Sequence, residues 1–219
     1  MAKSQLTFKF KLDDNQTEIA RKILDAIKAE INSVLLSVVF ALQREIRRLL
    51  EERITNSETW KSLESGQLRA EFGLPDDVTT RLQEILDIWL RQIDVDYKVL
   101  TGSSTLRGGI TINMLDTDWN QVLSSSAASI VTKYGMVLPW LEWLLTYGDK
   151  AIIQDYTVLM RASPQSRSGM AIMAKQVSGQ WRVPPEFSGT QDNNFITEIL
   201  ENMSKDIEDM IEKEFTSRL

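Results

Sequence analysis

From Leu6 to Leu12 the chain alternates apolar and polar residues without a break. Leu6, Phe8, Phe10 and Leu12 fall on one side, and Thr7, Lys9 and Lys11 on the other. A period of two predicts a half-buried strand, and outward lysines suit a sheet edge. Asp13 and Asp14 end the strand and offer a helix cap. The period then changes. From about Asn15 to Ile54 the apolar positions Ile19, Ile23, Ile27, Ile31, Val34, Val38, Leu42, Ile46, Leu49 and Ile54 recur every three to five residues, the drifting face of one helix. No Gly or Pro interrupts it, so Ser33 and Ser37 are the candidate break points. Unbroken, it reaches roughly 60 Å, longer than a compact domain of this size is wide. Part of such a helix must pack on something outside its own domain. The stretch Val34 to Leu42 is apolar nearly all round, which predicts burial on both faces.

Beyond it, Thr55 to Gly73 reads as a polar turn region leading to a short strand over Gln67 to Phe72. Pro75 and Asp76 open a second helix with Val78, Leu82, Ile85, Leu86, Trp89 and Ile93 on one face. Asp96 to Leu100 and Gly109 to Met114 flank a Gly/Ser loop and predict a hairpin. Asp118 to Tyr134 reads as a helix closed by Gly135, with small residues at its middle that admit another backbone. Val137 to Leu145 reads as a short, very apolar helix. Two strands follow, Ala151 to Met160 and Ser168 to Met173, joined by the polar tip Ser163 to Arg167. After a loop carrying Pro184, Pro185 and Gly189, a last helix presents Ile196, Ile199, Leu200, Met203, Ile207, Met210, Ile211 and Phe215. The order segregates helices and strands rather than alternating them. The expected fold is α+β: an antiparallel sheet packed with a long N-terminal helix and a C-terminal helix, one domain over 1–219, with the helix at 75–94 a candidate insertion.

Composition removes several chemistries. The 219 residues include no Cys and no His, which excludes disulfides, thiolate or imidazole metal sites, cysteine nucleophiles and Ser-His-Asp triads. A metal would have to be held by carboxylates, carbonyls or water, and no cofactor is expected. The first residues lack the apolar core of a signal peptide, and the longest apolar run is less than half of the roughly 20 residues a membrane span needs. The expectation is a protein made and kept inside the cell, with no membrane span. The net charge is −6, and Gln191 to Leu219 holds eight acids against three bases. Such a balance does not suit general nucleic-acid binding.

Thr101 to Gly109 is glycine-rich, but a strand rather than a Lys-Ser/Thr helix start follows it, so it reads as a hairpin loop rather than a phosphate cradle. The acid pairs Asp94 and Asp96, Asp116 and Asp118, and Asp149 and Asp155 lie in no signature; caps and solvated turns account for them, against the alternative of a Mg-dependent or other carboxylate enzyme. Gln43 to Arg53 mixes both signs at helical spacing, the pattern of an exposed face with ion pairs three and four residues apart. Trp140 and Trp143, amid four leucines, read as core or as interface anchors. Arg167, Trp181 and Arg182 fall in expected loops, where recognition residues gather. The catalytic inventory is empty, which points away from an enzyme.

The order of these motifs resembles the tail-completion, or head–tail connector, family of tailed bacteriophages. A strand and a long helix lead to Ser65-Gly66-Gln67-Leu68-Arg69, similar to the family's threonine-Gly-x-Leu-Arg stretch. A segment around Tyr134-Gly135 and Trp140-Leu141-Glu142-Trp143 resembles its aromatic and acidic stretch. Phe187-Ser188-Gly189-Thr190 and Asn194-Phe195-Ile196 resemble its entry into the last helix. The chain departs from the pattern in its extra helix from Asp76 to Ile93, in Ser65 and in its tryptophans. The resemblance implies a non-enzymatic virion protein, assembled in the host cytoplasm. It would form a six-fold or twelve-fold ring of identical subunits, bound to adjacent connector and tail proteins, with DNA passing through the lumen unread. Phe8, Phe10, Trp140, Trp143, Arg167, Trp181, Arg182 and Phe187 are the expected protein-interface residues. The competing non-enzyme reading is a monomeric or dimeric adaptor working through the long helix.

Overall fold

The computed structural model describes residues 15–115 and 119–219, so the expected strand Leu6 to Leu12, with Phe8 and Phe10, lies outside the described residues. The first described element, α1 (Gln16–Asn56), is one continuous helix. The Asn15 side chain caps it by accepting from the Glu18 N–H at 2.9 Å. Neither candidate break occurs. The hydroxyls of Ser33 and Ser37 donate back to the carbonyls of Glu30 (2.7 Å) and Val34 (2.8 Å), which satisfies them without opening the helix. Burial begins only at Leu35. From there Val38, Val39, Leu42, Ile46, Leu50 and Ile54 enter the core, but Leu36 is 49% and Phe40 63% exposed. The expected all-round burial of Val34 to Leu42 is therefore wrong. Neighbouring elements cover part of the helix circumference and leave a side bare.

Ser57 ends α1 and starts α2 (Glu58–Ser65): its hydroxyl donates to the Ile54 carbonyl and accepts from the Trp60 N–H. Next comes α3 (Gln67–Phe72), where a strand was expected. The correction has a clear cause. Trp60, Leu63, Leu68 and Phe72 are all buried, and Ser62 holds the Leu68 N–H at 3.0 Å, so the supposed polar turn is two short helices stacked on one core. Gly73, at φ +64°, closes α3 in the left-handed conformation, with the Leu74 N–H reaching back to the Arg69 carbonyl. The helix α4 (Val78–Gln92) buries the face read from its spacing.

The hairpin β1 (Asp94–Thr101) and β2 (Arg107–Asn113) forms as expected. It runs along α1. Arg47 donates to the Ile93 carbonyl (2.9 Å), Asn32 exchanges two bonds with the Leu100 backbone (2.7 and 3.0 Å), and Lys28 donates to the Gly102 carbonyl (3.2 Å). Lys28 to Arg47 spans about 28 Å of helix, and a strand from Ile93 to Gly102 spans about 30 Å. Helix and hairpin are thus matched in length and travel together away from the body.

The expected helix from Asp118 to Tyr134 is broken up. Its place is taken by α5 (Asn120–Leu123), a single 3₁₀ turn (Ser126–Ala128), and the hairpin β3 (Ile130–Val131) and β4 (Val137–Leu138). Serines cause this. Ser125 accepts from the Ala127 N–H and donates to Glu84, offering the backbone partners that compete with helix. The small residues do admit a close neighbour, but it is a side chain: Arg81 donates to the Ser126 and Ser129 carbonyls at 3.1 Å each. The apolar helix is shorter than expected, α6 (Trp140–Thr146), because Val137 and Leu138 belong to β4. β5 (Ile153–Met160) pairs antiparallel with β6 (Ala171–Trp181), with a bulge at Asp155.

Finally, Asn194 and Thr197 form a reciprocal capping box at the head of α7 (Phe195–Thr216). This helix lies along α1, with Arg53 and Asp206 at 2.9 Å. The fold is α+β. Long N-terminal and C-terminal helices pack together, and the strands among the described residues form three two-stranded antiparallel sheets rather than one larger sheet. One hydrophobic cluster draws on α1, α4, α6 and α7 and on Trp181. Among the described residues no helix is long and apolar enough to cross a membrane.

Candidate interface cleft

Phe72 is the centre of an aromatic cluster. Its ring lies 6.0 Å from Trp140 and 5.8 Å from Trp181, and Trp181 lies 5.7 Å edge-on to Trp143. Two indole N–H groups find partners. That of Trp140 donates to the Ala127 carbonyl (3.0 Å), and that of Trp181 to the Glu71 carboxylate (2.9 Å). Above the cluster lies a cleft of about 380 Å³. Trp143 and Trp181 line its floor, Leu138 and Met136 of the β3–β4 hairpin one side, and Val158 and Met173 of β5–β6 the other. Arg167 stands at the rim. Its guanidinium donates to the carbonyls of Gly73 (3.2 Å) and Phe72 (3.4 Å), the C-terminal end of α3, where a cation is favoured. Shelter from water pulls its pKa below the ordinary arginine value.

Three of the expected interface residues, Trp143, Arg167 and Trp181, meet in this cleft. Two of them differ from expectation. Trp181 ends a strand and is buried, so it is not a docking loop, and Arg167 is engaged with its own backbone. Trp140 lies beneath the cleft as core, 1% exposed. Arg182 is exposed and does not line the cleft, and Phe187 is half-buried on another face, beside Phe195 and the start of α2. Sequence reasoning missed Phe72, Glu71, Met136 and Met173. They come from separate elements, and Phe72 and Glu71 sat in the segment misread as a strand.

Gly73→Ala is expected to cost about 1–2 kcal/mol from the left-handed backbone alone. The new methyl would also stand 2.9 Å from the Arg167 guanidinium and push it off the carbonyls it caps. A urea titration measures the loss, and an unchanged midpoint would refute this account of the α3 terminus.

A second surface lies on the arm made by α1 and the first hairpin. Ile23 and Ile27 (54% and 42% exposed), Tyr97 and Val99 (39% and 53%) are bare there. Gln43 to Arg53 carries the expected ion pairs, Arg48 to Glu45 (3.0 Å) and to Glu52 (3.6 Å). Of the acid pairs, Asp116 and Asp118 lie outside the described residues. Asp155 accepts from the Ser178 N–H and Asp149 from the Ser188 hydroxyl. Among the described residues no three acidic side chains gather where they could hold a metal ion. The Thr101 to Gly109 loop is the tip of the first hairpin, and the Thr105 carbonyl crowds Gly102 so closely that no side chain fits there. Compared with known protein families, with curated proteins and with solved structures, the chain matches none.

Proposed function

We propose that this protein is a structural subunit of a bacteriophage neck, one of six or twelve identical copies in a ring that joins the head connector to the tail. One observation carries the reading. No residue of α1 is fully buried before Leu35, and the arm that α1 makes with the hairpin leaves Ile23, Ile27, Tyr97 and Val99 exposed along its length. Exposed apolar surface of this kind is costly unless another molecule covers it. An arm built from a helix and a hairpin of equal reach is a natural contact between neighbours in a ring. The motif order described above supports placing such a ring in the phage neck. Along α7, Glu198, Glu201, Glu208, Asp209 and Glu212 are exposed, which offers phosphates no basic track and suits DNA that passes without sticking.

Light scattering over a concentration series tests this, with negative-stain imaging of any large species. The expected result is a mass of six or twelve chains. Ile23→Asp combined with Ile27→Asp is expected to return the mass to one chain while changing stability by no more than about 0.5 kcal/mol, because both residues are exposed. A wild-type protein that stays a monomer or dimer at every concentration would refute the ring and favour the adaptor reading.

A further inference from the structure

The cleft above the aromatic cluster opens between the exposed Met136 and Met173, over Trp143 and Trp181. No residue of α1 or of the first hairpin lines it, so its role is independent of the ring. Aromatic and apolar walls around such a volume suit large apolar side chains of a partner. The charges around it are one-sided. From β3 to the end of β6, residues 130–181 hold five bases and three acids, in a chain whose net charge is −6. Arg167 lines the cleft, Lys133 adjoins the lining residue Thr132, and Lys175 lies two positions beyond Met173 on the same side of β6. Lys133 and Lys175 are exposed, and among the described residues none of these three cations pairs with a carboxylate. Arg167 gives Nε and one terminal nitrogen to the carbonyls of Gly73 and Phe72, and its other terminal nitrogen has no partner among the described residues. The carboxylate in the lining, Glu71, is already engaged: one oxygen accepts from the Gln67 amide and the other from the Trp181 indole.

Charge and shape together select the occupant. Cations without counter-charges on the rim of an apolar cleft attract a partner of the opposite sign and fix its orientation. Nucleic acid is one such partner, but bases held by aromatic side chains need open ring faces to stack on. Trp143 and Trp181 are only 9% and 5% exposed. A second copy offers the acids of α7, yet no large apolar side chain of α7 is exposed beside them, so that helix brings charge without an anchor. We infer that the cleft docks an acidic segment of another protein. The segment seats large apolar side chains over the Trp143–Trp181 floor and sets its carboxylates against Arg167, Lys133 and Lys175.

Selection from a random peptide library on the immobilised full chain tests this. The expected winners combine Asp and Glu with Phe, Leu, Trp or Met. Fluorescence anisotropy then follows one labelled winner. Met173→Asp is expected to weaken its binding at least about tenfold, the loss of an anchor contact. Lys133→Glu combined with Lys175→Glu is expected to do the same, and because both lysines are exposed these changes leave the fold intact. Selection of no peptide, winners without an excess of acids, or equal binding to the wild type and both variants would overturn the inference. So would a peptide of residues 195–219 that displaces the winner at lower concentration than the winner itself, which would assign the cleft to a second copy. A single-stranded oligonucleotide that does so would overturn it in favour of nucleic acid.

Discussion

Trp140→Ala is expected to destabilise the protein by about 3–5 kcal/mol, the range for deleting a fully buried large aromatic side chain. The ring is 1% exposed and packs 6.0 Å from Phe72, on which Trp181 also rests. Its loss leaves a cavity under the cleft floor. It also strips the Ala127 carbonyl of its indole donor in a buried setting, and an unpaired buried acceptor costs about 1–3 kcal/mol by itself. Against a typical total of about 5–15 kcal/mol, such a loss leaves a marginal fold. Trp140→Phe keeps most of the ring and loses the hydrogen bond, so a smaller effect is expected. Urea unfolding followed by far-ultraviolet circular dichroism reads both variants, since tryptophan emission itself changes. Protein concentration must be held fixed, because assembly would add to the apparent stability. A loss under about 1 kcal/mol for the alanine variant would mean that Trp140 is not the buried support described here.

Phe40 and Leu42, two residues apart on α1, are expected to behave in opposite ways. Leu42 is fully buried and belongs to the main cluster, so Leu42→Ala should cost about 2–5 kcal/mol. Phe40 is 63% exposed, so Phe40→Ala should shift stability by no more than about 0.5 kcal/mol in the single chain. If a neighbouring subunit covers this side of α1, Phe40→Ala will instead weaken the oligomer, and light scattering will show it at concentrations where the wild type is assembled. Equal losses of stability for the two variants in dilute, single-chain protein would contradict the exposure assigned to Phe40. Apart from Ser37, every position from Val34 to Leu42 is apolar in the sequence. Only the neighbours of α1 separate its wet positions from its dry ones.

Local signals were legible wherever one strong pattern stood alone. The apolar spacing from Ile19 to Ile54 predicted helix throughout and left open a break at Ser33 or Ser37, whose hydroxyls instead bond back to the helix without opening it. The period-3.6 face of α4, the glycine-flanked first hairpin, the β5–β6 pair and the apolar face of α7 were likewise readable. The errors fall in segments of six to about seventeen residues, where pattern is ambiguous. Gln67 to Phe72 is too short to distinguish a period of two from one of 3.6, and the core contacts of Leu68 and Phe72 decided for helix. In Ser124 to Ser129, side-chain hydroxyls bonded to nearby backbone and side chains outweighed a weak helical preference.

The candidate cleft was legible only in part. Trp143, Arg167 and Trp181 stood out as residue types that anchor contacts, but their meeting could not be read, because they arrive from α6, a loop and the end of β6. Nor could the engagement of Arg167 with the end of α3, since the two are separated by more than ninety residues. Periodicity and turn chemistry act between residues a few positions apart, so element types and the α+β class follow from the chain order itself. Burial depends on which distant elements cover a given face. The bare side of α1, the reach of its arm and the aromatic floor of the cleft are therefore products of packing, decided when the hairpin, α4 and α7 settle against the long helix and leave part of it in water.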